Sequence, residues 1–148
     1  MTPSVVAAAI ALVLALYLLI TDWVDLAPWN NVGDLPRRQK LLLSLTNYTP
    51  LVLLAFFVLQ QDPILVSLAV VIASVDLLLH LMYWWLPYLR GASAAQTAEH
   101  ANLFGGTTTF LPRIGDHPIP NAQHVVVGIL MVLMWAASLA AAAAVFSS

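Results

Sequence analysis

Hydrophobic positions in this chain fall in long unbroken runs, neither alternating nor striped at helical spacing. Residues 5–20 are apolar except for Tyr17, residues 64–86 except for a few scattered positions, and residues 125–146 are dominated by Val, Leu, Met and Ala. Residues 41–59 form a fourth run whose first half carries Ser44, Thr46, Asn47, Tyr48, Thr49 and Pro50. About 20 apolar residues, rising about 1.5 Å each, cross the hydrocarbon core of a bilayer as a helix. The pattern therefore predicts one all-α transmembrane domain over residues 1–148, an antiparallel four-helix bundle with spans at about 4–23, 41–59, 64–86 and 124–146. No charged region precedes the first run and no small-residue cleavage site follows it, so it reads as a span and not as a secretory signal.

Breaks between the runs fix the connections. Pro28, Gly33 and Pro36 make a loop of residues 25–39, and the turn at Gln60, Gln61, Asp62 and Pro63 is short enough to make spans two and three a hairpin. Residues 87–123 are the one long polar stretch. Within it Ser93 and Gln96 have capping-box spacing, which predicts a short helix over 94–104 stopped by Gly105 and Gly106. Asn121 is placed to cap the last span. Pro50 predicts a kink or break in span two. Trp23 and Trp29 with Asp22, Asp25 and Asp34, and further on Tyr83, Trp84, Trp85 and Tyr88, read as interfacial belts. Asp22 and Asp25 are expected at the surface beside Arg37 or Arg38, where ion pairs contribute little.

Composition then narrows the function classes. Hydrophobic residues make up 61% of the chain and charged ones 8%, with a mean hydropathy of +0.90, against about 25% charged in soluble domains. A net charge of −2 with five Lys and Arg gives no field for nucleic acid. The absence of cysteine removes disulfide, thiolate and thiolate-metal chemistry. All five cations, Arg37, Arg38, Lys40, Arg90 and Arg113, fall in two loops on one side, and the positive-inside rule then gives an N-out, C-out orientation. The strings TDWVDLAPWN, NYTP, WWLPYLRGAS and FLPRIGDHPIPNAQH resemble those of small four-span bacterial membrane proteins, which implies a multi-pass inner-membrane protein. Small multidrug transporters are similar in length and span number but carry their carboxylate in the first span, which here is apolar as far as Asp22.

Candidate chemistry centres on Asp76 and His80. They stand one helical turn apart on one face, with Tyr83 and Pro87 continuing that face. Ionisable groups at membrane depth are costly and point to function by default. By depth, Asn47 of span two, Tyr17, Tyr83 and His124 belong to the same half of the bilayer, so the ligand-binding set is Asn47, Asp76, His80, Tyr83 and His124, lining a cavity open to the cytoplasm. The loop adds Glu99, His100, Arg113, Asp116 and His117.

Three readings follow. A transport or binding protein handles a small ligand or a proton in that cavity. A membrane-embedded enzyme uses Asp76 and His80 as an acid–base pair on a lipid-like substrate. A structural or assembly subunit uses the pair as an interhelical hydrogen bond. No metal-binding pattern such as HExxH is present, only one histidine lies well within a span, and Gly105 and Gly106 lack the GK[ST] of a phosphate loop, so no metal or cofactor is expected. The expected partners are the bilayer, a small molecule and further copies of the chain.

Overall fold

The computed structural model of the protein describes residues 1–33 and 35–148. Asp34, one of the acids expected at an interface, lies outside the described residues. These contain five helices and no strand: α1 (Pro3–Trp23), α2 (Arg37–Leu59), α3 (Pro63–Arg90), α4 (Ala94–Phe104) and α5 (Ala122–Phe146). All but α4 are long and apolar enough to cross a membrane, and large apolar side chains such as Leu16, Phe56 and Leu79 face outward from them. The protein is thus a multi-pass membrane protein.

The helix starts follow from local chemistry. Asp62 accepts from the Ile64 and Leu65 N–H groups at 2.9 and 3.0 Å, with Pro63 next in line, a first turn that satisfies orphan donors. Asn121 Oδ1 accepts from the His124 N–H at 3.0 Å. Ser93 and Gln96 form the expected capping box at the start of α4.

Two prolines lie inside the long helices. Pro50 sits inside α2, which continues through it. Its missing N–H leaves the Thr46 carbonyl without its usual donor, and Thr46 lies on the wall of a cavity, the setting in which a membrane helix tolerates such a loss. Pro87 does not end the third span either. The helix widens into a π turn over Leu81–Trp85, where the Leu86 N–H bonds to the Leu81 carbonyl, and regains α geometry as far as Arg90. The wider turn takes up the clash between a proline ring and the carbonyl four residues back, so the span runs four residues beyond its expected end.

The four long helices form a closed ring. Each of α1 and α3 packs against both α2 and α5. Their shared core is built largely from small side chains, Ala7, Ala8 and Ala11 of α1, Ala69 and Ala73 of α3 and Ala141 of α5, around Leu14, Leu54, Val58 and Met134. Small residues let helix backbones approach closely, the main source of packing energy where lipid is as apolar as leucine. Interhelical hydrogen bonds add to it: Trp135 Nε1 donates to Ser74 Oγ at 3.0 Å between α5 and α3, and Trp23 Nε1 to Ser44 Oγ at 2.9 Å between α1 and α2.

One end of the ring is covered by the two long connections, which are tied together. The Thr108 N–H donates to the Pro28 carbonyl at 2.7 Å, the Ala122 N–H to the Thr108 carbonyl at 2.8 Å, and Asn31 Nδ2 to the Leu103 carbonyl. Buried Asn30 closes the end of α1 by donating to the Thr21 and Val24 carbonyls, both at 2.7 Å, and accepting from the Leu26 N–H at 2.8 Å.

Candidate functional site

Two cavities adjoin near this end of the ring, and the connections border only the one that has Asp22 in its wall. One, of 400 Å³, has Asp76, His80, Thr46, Asn47, Tyr83 and Trp84 in its wall. The other, of 410 Å³, has Asp22, Asn31, Asn47, Tyr83, Trp84 and His124 in its wall. Asn47, Tyr83 and Trp84 belong to both. All five residues expected at the ligand site therefore border this pair of cavities, and His124 reaches only the second. Tyr17 lies apart from both, its hydroxyl accepting from Trp29 Nε1 at 2.9 Å.

Asp76 and His80 share a cavity but make no hydrogen bond with each other. Asp76 is half-buried, with no charged or hydrogen-bonded neighbour among the described residues. His80 is buried with its Nε2 unpartnered. Its ring lies against Gly128 of α5, where an added Cβ would come within 2.9 Å of Nε2 and 3.1 Å of Trp85 Nε1. Gly128 is thus the gap that admits His80 and Trp85 between α3 and α5.

The second cavity holds the acid whose expected place the structure corrects. Asp22 is not a surface carboxylate beside Arg37 or Arg38. It is buried in the last turn of α1, with Oδ2 accepting from Tyr48 OH at 3.0 Å and from Asn47 Nδ2 at 3.4 Å. The polar string ahead of Pro50 supplies both donors, since Asn47 and Tyr48 sit on the flank of α2 that meets α1. Asp25 instead bonds locally, accepting from the Ala27 N–H at 3.2 Å, and its carboxylate packs over Gly33.

Trp84 also departs from expectation. It is 8% exposed and is no belt anchor. Its indole stacks on His124 with centroids 3.5 Å apart and a 22° interplanar angle, and meets Phe104 and His100 of α4 edge-on at 4.9 and 5.6 Å. The π turn is what brings this about, because an extra residue in the turn carries Trp84 and Trp85 towards α5. Asn121 orients the stack: its Oδ1 accepts from His124 Nδ1 at 2.6 Å. Covered by these rings, His100 has a buried, unpartnered Nε2, and burial holds its imidazole below the ordinary value.

The remaining loop candidates do not join this site. His117 Nδ1 donates to the Tyr88 carbonyl at 2.8 Å and its ring covers Gly91, whose φ is +87°, while Tyr88 OH donates to the Pro112 carbonyl at 2.8 Å. These contacts hold the cover onto the end of α3. Arg113, Asp116 and His117 border a separate 280 Å³ hollow on the loop, and Glu99 a 100 Å³ one beside Tyr83; His100 borders both. Among the described residues no three His, Asp or Glu side chains converge as metal ligands do.

Compared with models of known families, with curated proteins and with solved structures, the chain matches none. The site is therefore read from its own chemistry. Sequence reasoning missed four of its parts: Asp22, Trp84, Gln123 in the second cavity wall and Gly128. A signal did exist for Asp22, because it stands two residues after the first apolar run and so falls within the same helix.

Proposed function

We propose that this protein binds and moves a small ligand or a proton through the polar end of an antiparallel four-span bundle, inserted N-out and C-out in a bacterial inner membrane. The placement of all five Lys and Arg, with Arg37, Arg38 and Lys40 at the start of α2, Arg90 at the end of α3 and Arg113 in the connection that follows, supports that orientation and turns the covered end of the ring towards the cytoplasm. The observation that carries the reading is the adjacency of the two cavities along Asn47, Tyr83 and Trp84, with a carboxylate in each, Asp22 or Asp76, and no Lys or Arg in either wall. Carboxylates at membrane depth with no cation beside them are the usual means of exchanging protons or charged ligands. The Asp76–His80 enzyme reading draws less support, because the two side chains are not assembled as a hydrogen-bonded pair.

Native mass spectrometry of the gently solubilised protein, paired with proton flux in dye-loaded proteoliposomes, tests the reading. Wild type is expected to retain a small molecule or to dissipate an imposed pH gradient. Asp76→Asn and His80→Ala should lose that property with the oligomer intact. No retained species, together with flux equal to that of empty liposomes, would refute it and move the pair to a purely structural role.

A further inference from the structure

We propose that the 410 Å³ cavity is a site for a small monovalent organic cation, an amine or quaternary ammonium, with Asp22 as its counter-ion. The inference rests on the ligand-binding reading above and names the ligand class. Both hydrogen bonds to the Asp22 carboxylate go to Oδ2, and among the described residues none goes to Oδ1. Both donors are neutral, and no Lys or Arg stands in the cavity wall, so the charge of the carboxylate is solvated but not neutralised. A buried carboxylate left in that state favours a cation more strongly than it would in water, because the surrounding dielectric is low.

The rest of the wall selects the kind of cation. Tyr83, Trp84 and Phe104 belong to the same cavity wall, and Asn31, Asn47 and Gln123 add neutral amides. Aromatic faces attract ammonium groups through the ring quadrupole, most strongly when the site is desolvated. A bare metal ion would require several oxygen ligands in place of these rings. An anion would meet Asp22 with no compensating charge. One carboxylate in a wall that holds aromatic side chains therefore suits a single positive charge carried on an apolar, weakly hydrated group.

Choline is a suitable probe because its charge does not depend on pH, and 3,3-dimethylbutan-1-ol is its neutral isostere. Binding is read by tryptophan fluorescence of the full chain in uncharged maltoside micelles at fixed ionic strength. Choline is expected to saturate the signal, with the neutral isostere at least about tenfold weaker. Asp22→Asn should weaken choline about tenfold or more. Tyr83→Leu, at an exposed position where folding is not at stake, should weaken it about two- to fivefold. Asp25→Asn should leave choline affinity within about twofold, because Asp25 bonds locally and lies outside this cavity wall. Glycerophosphocholine, which carries the same cation beside a phosphate, should bind no tighter than choline.

Equal affinity for the neutral isostere, tighter binding of glycerophosphocholine, no saturable choline signal, or unchanged affinity in both Asp22→Asn and Tyr83→Leu would each overturn the assignment. Any of these outcomes alongside a retained molecule or Asp76-dependent proton flux would sink the cation class alone and leave the broader reading in place.

Discussion

Tyr48→Phe removes one oxygen from the joint between α1 and α2. The Tyr48 hydroxyl donates to Asp22 Oδ2 at 3.0 Å, whereas Asn47, at 3.4 Å, is near the limit of hydrogen-bonding distance. The carboxylate therefore has one strong donor to lose. A hydrogen bond to a charged group is worth about 1.5–3 kcal/mol in soluble proteins. Two features of this joint argue for less. Tyr48 is only half-buried and Asp22 borders a cavity, so water can partly replace the lost donor. Interhelical bonds in membranes also average about 0.6 kcal/mol and reach about 1.7, because the unfolded chain in the membrane finds other partners. The expected coupling between Tyr48→Phe and Asp22→Ala is accordingly about 1 kcal/mol. It is measured as a double-mutant cycle from unfolding by denaturing detergent in mixed micelles. Coupling inside the roughly 0.3–0.5 kcal/mol scatter of independent pairs would refute the view that this bond joins the helices and holds the acid in place.

Two further predictions concern the neighbours of the site. Gly128→Val places methyl groups where a single Cβ already comes within 2.9 Å of His80 Nε2; overpacking of this kind costs about 1–3 kcal/mol, and His80→Ala should relieve much of it. Additive losses in the double variant would show that the two residues do not share that gap. Burial holds the His100 imidazole below its ordinary value, so as pH falls through about 6.5 the unfolded chain takes up a proton at His100 before the folded chain does. Stability at this position thus rises with pH and is lost on acidification. Amides of α4 should lose hydrogen-exchange protection between pH 7 and pH 5, after correction for intrinsic rates, and His100→Gln should flatten that change; an identical profile in the variant would exclude His100 as the cause.

The sequence by itself determined which stretches form helices long and apolar enough to cross a membrane and how two of the five helices begin. Runs of about 20 apolar residues, the capping box at Ser93 and Gln96 and the cap at Asn121 are local signals. Each depends on residues within a few positions of one another, so each could be read in order along the chain. Gly128 and Pro87 were equally visible as residues, but their consequences were not. The gap at Gly128 exists only because His80 and Trp85 arrive from another helix, and the π turn before Pro87 matters because it carries Trp84 onto His124. The tertiary structure likewise decided that Asp22 is buried beneath Tyr48, 26 positions away, and that Asp76 and His80 share a cavity without bonding. In a membrane the helices are long and apolar on every side, so hydropathy carries little information about which face meets which neighbour. That choice rests on close packing of small side chains and on a few polar contacts between distant segments, which exist only once the ring of helices has closed.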